Sequence, residues 1–306
     1  MRRPGLYFPF IHVRDDDWLK TAALYWPSIR RLVPRRYPKH DSPTARTFSD
    51  AGILRDEVPK SLVDSMAWDL LDTIEQNADR LVADYSIERA FTEWDGREWS
   101  EGSEEGRAQQ LGWIHVTKFP GHVADYLVEK GLAHRGRDTT HDPWVGLHPV
   151  LAGAYMTALA GRVSEQAFLE PLTDQTDLRI ATPNDNVQAA ISLLLGRTPA
   201  EAQAADISAW SGTEAYIMLA LKYARPKNPS AIDAQKIIQC RENLREELES
   251  FWDYVDSQRA ELTELATIPL QNRRLEAFAE HVELTIEQPL RRLEKGLKLH
   301  RLVVCK

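Results

Sequence analysis

The chain is short of cysteine and of positive charge, and it has no long apolar run. Two cysteines, Cys240 and Cys305, stand far apart in 306 residues. Neither has a second Cys or a His at metal-ligand spacing. The sequence therefore specifies no disulfide framework and no zinc site, and a reducing cytoplasm is the expected compartment. Lysine and arginine number 38 against 46 aspartates and glutamates, a formal net charge of −8. Such a field opposes whole-surface binding to nucleic acid or anionic lipid. No stretch approaches the roughly 18 uninterrupted apolar residues of a spanning helix. The opening MRRPGLYFPFIHV imitates a signal peptide, but its apolar run is short, holds Pro9 and His12, and runs into Asp15, Asp16 and Asp17. Nucleophile elbow, P-loop, dinucleotide fingerprint and zinc-protease helix are all missing. Their absence disfavours an ordinary serine hydrolase, NTPase or Rossmann dehydrogenase and leaves any cofactor unspecified.

What is present suits a globular protein with a sizeable core: 43% hydrophobic residues, 27% charged, and nine tryptophans. Leu6 to Val13 alternates as a strand covered on both sides, with Pro9 at a sheet edge or bulge because it lacks a ladder donor. A helix follows, capped by Asp15 or Asp16, with Trp18, Ala22, Tyr25, Trp26, Ile29 and Leu32 at helical spacing and a kink at Pro27. Residues 34–60 read as loops with short strands, and Lys60 to Tyr85 as a helix. Gly112 to Phe119 (GWIHVTKF) is a second strand, His122 to Leu132 a short helix, and Asp142 to Gly146 a loop. His148-Pro149 starts a further helix.

The C-terminal third carries the clearest pattern. Ile237, Arg241, Leu244, Leu248, Phe251, Val255, Gln258, Leu262 and Leu265 step by four and three, and seven of the nine are apolar, as in a heptad seam. Pro269 ends it, and a second amphipathic helix runs from about Gln271 to Leu297. The expected fold is mixed α+β and helix-dominated: a small body over residues 1–225 with few strands, and a long αα-hairpin over 232–300.

Several pieces carry a resemblance: YFPFIHVRDDDWLKTAALYW at the start, IHVTK at Ile114 to Lys118, AYMTALA at Ala154 to Ala160, LTD at Leu172 to Asp174, and KIIQCRENLREELESF at Lys236 to Phe251. Together they resemble an uncharacterised bacterial family that opens with an aromatic-Pro-aromatic strand, Arg-Asp, Trp-Leu-Lys and Leu-Tyr-Trp. The resemblance implies a bacterial soluble protein and brings no activity with it. The ending GLKLHRLVVCK departs from that pattern after Lys298, as a shortened or frame-shifted end would.

Five places could hold chemistry. His12, Arg14, Asp15, Asp16 and Asp17 lie where a strand meets a helix N-terminus; there carboxylates can hold a cation and His12 with Arg14 an anion, although helix capping accounts for the same residue types. His115 on the second strand could meet His12, whereas strand alternation sends Lys118 to the opposite face. Arg30, Arg31, Arg35, Arg36 and Lys39 put five positive charges within ten residues, a polyanion footprint or a solvated helix end. His134, His141 and His148, with Asp138 and Asp142, are spaced too widely for a compact ligand motif, so no metal is expected. Thr173, Asp174, Thr176 and Asp177 are explained by turn chemistry.

The leading expectation is an interaction or regulatory protein that binds a partner, or itself, through residues 237–297. The alternatives are a hydrolase, of phosphate-ester type, with a polar site at the end of strand one built from His12, Arg14, Asp15 or Asp16 with His115 or His148, and a nucleic-acid binder through residues 30–39. Nucleic acid is disfavoured by charge, and no membrane partner is expected.

Overall fold

A computed structural model describes residues 3–35, 37–58, 62–92, 111–137, 143–174, 226, 228–266, 291 and 295. Within them the fold is mixed α/β and helix-dominated, built on two small sheets. The first sheet contains β1 (Gly5–Tyr7), β2 (Ile29–Leu32), β3 (Leu54–Glu57) and β7 (Glu170–Leu172), all parallel, in the order β3-β2-β1-β7. The second is antiparallel: β4 (Gly112–His115), β6 (Pro143–Leu147) and β5 (Ala133–Arg137), in the order β4-β6-β5.

Strand one is shorter than its apolar pattern. It ends at Tyr7, and residues 8–15 form a loop at the carboxyl edge of the sheet. Proline has no amide proton to continue the ladder, so pairing stops with the Phe8 N–H on the Leu172 carbonyl, 2.9 Å. With neighbours on both sides, β1 is a central strand, and Pro9 lies beyond its end rather than at a sheet edge.

Helix α1 (Asp16–Tyr25) also stops early. The expected helix to Leu32 is divided in the structure, and Ile29 and Leu32 belong to β2. Pro27 causes this. It cannot donate to the preceding turn, and it pushes Trp26 into an extended conformation, φ −76° and ψ 144°. Helix α2 (Pro43–Asp50) then leads into β3. It was hidden within residues read as loop, although Ser42 accepting from the Ala45 amide and Pro43 in the first turn make an ordinary helix start.

Helices α3 (Leu62–Tyr85) and α4 (Ile87–Thr92) come before the second sheet. The expected strand Gly112 to Phe119 is β4 only to His115, then a 3-10 turn, Val116–Lys118. Helix α5 (Gly121–Glu129) leads into β5, so His134 lies in a strand. The segment read as a loop at Asp142 to Gly146 is instead the central strand β6. Its glycine is set by packing: a β-carbon on Gly146 would sit 2.8 Å from the Leu111 side chain and 3.0 Å from the Trp113 ring. Glycine here makes room for an indole rather than a turn.

Helix α6 (Pro149–Ala167) packs on α3 and on strands of both sheets, and delivers the chain to β7. Leu6, Phe8 and Leu32 share a core with Phe119, Leu127, Val145, Leu147, Leu151, Tyr155 and Leu159. The opposite face of the parallel sheet, with Tyr7, Ile29 and Leu54, packs with Leu24, Trp26 and Phe48. That second core is completed from the C-terminal third. Helices α7 (Ala234–Asn243) and α8 (Arg245–Ala266) are separated at Leu244, whose φ of −110° and ψ of 27° interrupt the expected continuous seam.

Ile237, Leu244, Leu248 and Phe251 are nevertheless buried, in the core with Tyr25 and Trp26. The Trp252 indole donates to the Tyr25 carbonyl at 2.8 Å. Arg241, a seam position, donates to the carbonyls of Ala23, Trp26 and Pro27, where a cation suits the end of α1. The first arm of the expected hairpin is thus a layer of the body as far as Trp252. The second arm, from Gln271 to Leu297, lies outside the described residues. Leu248→Lys should lower unfolding free energy by about 3–5 kcal/mol, because a charge replaces a buried aliphatic group. Urea denaturation followed by circular dichroism checks this.

Candidate functional site at the carboxyl edge of the parallel sheet

The sheet order makes a switch point. From β1 the chain moves outward through β2 to β3, then returns to the other side of β1 as β7. In open α/β sheets the loops leaving such neighbours diverge, and the crevice between them is where ligands bind. Here the loops after β1 and β2 and residues Thr173 and Asp174 after β7 meet the end of β4 and the start of β6.

The N-terminus of α1 faces this crevice, and the chain fills it with its own carboxylates. The Asp15 carboxylate accepts from the amides of Asp17 (2.8 Å) and Trp18 (2.9 Å). The Asp174 carboxylate accepts from the amides of Arg14 (3.3 Å) and Asp15 (3.2 Å), and from the Tyr7 hydroxyl (2.9 Å). Burial, then the charge of Asp174, pushes the Tyr7 phenol far up, so it remains a donor. The other two aspartates turn elsewhere. Asp16 accepts from the Ser42 hydroxyl at 2.6 Å and Asp17 from the Ser230 hydroxyl at 2.5 Å. The Arg14 guanidinium is exposed and lies 3.5 Å above the Phe10 ring. Asp15, Asp16 and Asp17 therefore do not converge, and the candidate cation site is not assembled from them.

The basic stretch is mostly tied to carboxylates. Arg31 has no solvent exposure; its two terminal nitrogens donate to both oxygens of Asp41, each at 2.6 Å, and its Nε to Asp56 at 2.7 Å. Lys39 donates to the other Asp56 oxygen at 2.8 Å, and Arg30 pairs with Glu57. Burial works against the Arg31 charge, but the bonds to Asp41 and Asp56 outweigh it and hold its pKa above the ordinary value. Burial likewise pushes Asp41 and Asp56 up, and their cationic partners bring both below the usual carboxylate range. Arg30 and Arg31 lie on β2, not at a helix end. Arg35 is exposed, and Arg36 lies outside the described residues.

Through Lys39 and Asp41 that network holds the stretch that carries Tyr37 and His40 to His12. His12 Nε2 accepts from the His40 amide at 2.9 Å, which assigns the ring proton to Nδ1. The Tyr37 ring lies 5.9 Å from His12, 5.6 Å from His115 and 6.1 Å from Trp144, with His115 and Trp144 edge to face at 5.1 Å. His115 Nδ1 accepts from the Thr117 amide at 3.2 Å and lies 2.9 Å from the Thr117 hydroxyl. Burial lowers the His12 pKa, with the charges of Arg31 and His40 acting in the same direction and those of Asp41 and Asp56 opposing. The ring is thus neutral near pH 7.

Lys118 lies in the 3-10 turn that follows β4. Strand alternation would have sent it away from His115, but the 3-10 turn from Val116 brings it inward, 3% exposed. Its amine donates to the Pro9 carbonyl at 3.3 Å, and its own carbonyl accepts from Tyr155 at 2.6 Å. Burial pulls its pKa down to about 7.

The sequence pointed to His12 and His115. Tyr37 and Trp144 had no signal beyond being aromatic, and Asp174 looked like a turn residue. His148 goes elsewhere: it caps α6 through the Val150 amide and packs on Tyr85. His134 packs on Trp113. His141, Asp138, Asp142, Thr176 and Asp177 lie outside the described residues. Among the described residues no group of three or more His, Cys, Asp or Glu could hold a metal, and no helix is long and apolar enough to cross a membrane. Family models, curated proteins and solved structures give no match to this chain.

The lysine makes a measurable cost. Unfolded, its amine keeps its proton up to the ordinary 10.5; folded, only up to about 7. Between those values the unfolded chain binds more protons, so this burden on stability is full below pH 7 and fades as pH rises to 10.5. Lys118→Met should raise unfolding free energy by a few kcal/mol at pH 6 and by little at pH 10, on the scale of about 1.4 kcal/mol per pKa unit. Denaturant melts at the two pH values check it.

Proposed function

We propose that the protein is an enzyme acting at a carbonyl group of a small uncharged molecule, in its simplest form a hydrolase, with its site at the carboxyl edge of the parallel sheet. The observation that carries this reading is the packing of the Tyr37 ring against His12, His115 and Trp144, from separate segments, at the carboxyl edge of the sheet. The His12 ring is held by the His40 amide in the tautomer that carries its proton on Nδ1, and the His115 ring takes the Thr117 amide on Nδ1. A neutral imidazole N–H polarises a carbonyl and stabilises the oxyanion formed when water attacks it. Tyr37 and Trp144 offer ring surfaces for a flat substrate.

A phosphate ester has less support than a neutral substrate. The α1 amides already serve Asp15 and Asp174, and Arg30, Arg31 and Lys39 serve Glu57, Asp41 and Asp56. The same pairings weaken nucleic-acid binding through residues 30–39. Partner binding through the C-terminal hairpin loses ground where Ile237, Leu248 and Phe251 are buried in the core.

The test is turnover of a panel of neutral aryl esters and amides, with 4-nitrophenyl phosphate as the charged control. His12→Asn should lower kcat on the best neutral substrate by about 10²–10³-fold, the usual cost of losing one oxyanion donor, while the melting temperature stays near wild type. Preferred turnover of the phosphate, or equal kcat in the variant, would contradict the reading.

A further inference from the structure

The tie between His12 and His40 differs in kind from the others at this edge. Asp41 meets Arg31 at 2.6 Å and Asp56 meets Lys39 at 2.8 Å, charge against charge. The His40 amide instead donates, at 2.9 Å, into the one in-plane lone pair that a neutral His12 ring offers on Nε2. An imidazolium carries a proton on both nitrogens and accepts nothing. A proton taken up at Nε2 would set two N–H groups against each other across this gap. Imidazole takes up that proton in mildly acid solution, where carboxylates are still ionised.

The groups facing the ring come from four elements. The stretch after β2 brings Tyr37, 5.9 Å away ring to ring, the His40 ring, 6.0 Å away, and Asp41. Strand β2 brings Arg31 and β3 brings Asp56, and the Tyr7 hydroxyl of β1 lies 3.4 Å from the His12 carbonyl. Burial opposes a charge on the ring, as do Arg31 and His40, while Asp41 and Asp56 favour it. Burial pushes both carboxylates up, but their cationic partners hold them below the usual range, so they stay with Arg31 while the ring charges. Tyr37 ties this contact to the site, since its ring also packs on His115 at 5.6 Å and Trp144 at 6.1 Å.

We propose that the His12–His40 contact is an acid-sensitive latch. Protonation of the His12 ring breaks it, frees the segment around Tyr37 and His40 from the loop after β1, and withdraws the Tyr37 ring from His115 and Trp144. The pair of Asp41 with Arg31 keeps the far end of that segment in place, so the movement is local and reverses when the ring loses its proton. The latch does not depend on the carbonyl chemistry proposed above.

The experiment is NMR on the full, nitrogen-labelled chain between pH 8 and pH 4.5. The scalar coupling between the His40 amide nitrogen and His12 Nε2, which exists only across an N–H···N bond, should be present at pH 8 and lost by pH 4.5. Overhauser contacts between the Tyr37 and Trp144 rings should be lost with the midpoint of the His12 ring titration. His12→Gln supplies an amide oxygen that accepts without titrating, so its Tyr37–Trp144 contacts should persist at pH 4.5. If that variant does not fold, the agreement of the two wild-type midpoints decides. Absence of the coupling at pH 8, its survival at pH 4.5, ring contacts that outlast it, or the same loss of contacts in His12→Gln overturns the proposal.

Discussion

A guanidinium without solvent sets the shape of this molecule's working edge. Arg31 is carried into the interior by a central strand, and its charge must be met there. Asp56 is close at hand on the adjacent strand, but Asp41 is not; it reaches Arg31 from the stretch just before α2. Leaving such a charge uncompensated costs about 3–5 kcal/mol, so the loop has one acceptable position. Tyr37 and His40 ride on that loop. Their contacts with His12, His115 and Trp144 follow from an ion pair buried beneath them.

The second constraint is the self-satisfied start of α1. A helix N-terminus at a switch point normally attracts a ligand anion. Here Asp174, brought in by β7, supplies that charge and links the last strand to Tyr7 on the first. On the proposed reading, a ligand lies nearer the second sheet, and the charge supplied by Asp174 favours a carbonyl over a phosphate there.

Local signals were legible in the sequence where one residue type has one job. The Asp run announced the cap of α1, His148-Pro149 the start of α6, and the apolar steps from Ile237 the inner face of α7 and α8. Signals failed where two jobs compete for a residue. Ile29 and Leu32 fit a helical stripe as well as a strand, and only Pro27 decided between them. Gly146 reads as a turn until the Trp113 ring is placed beside it. Arg31 reads as surface charge until its partners at positions 41 and 56 are known. His12 and His115 were recognisable as candidates, but Tyr37, Trp144 and Asp174 acquire meaning only from contacts across the fold. The buried amine of Lys118 was invisible because strand alternation does not survive into a 3-10 turn.

The His40 amide grips the His12 ring through Nε2 and leaves its proton on Nδ1. Nitrogen and proton NMR titration of the histidines, with His12 assigned by its loss in His12→Asn, measures this directly. His12 should titrate below the ordinary 6.5 and carry its neutral-state proton on Nδ1. Titration at or above 6.5 with the proton on Nε2 would mean that the loop does not grip the ring, and the site described here would not exist.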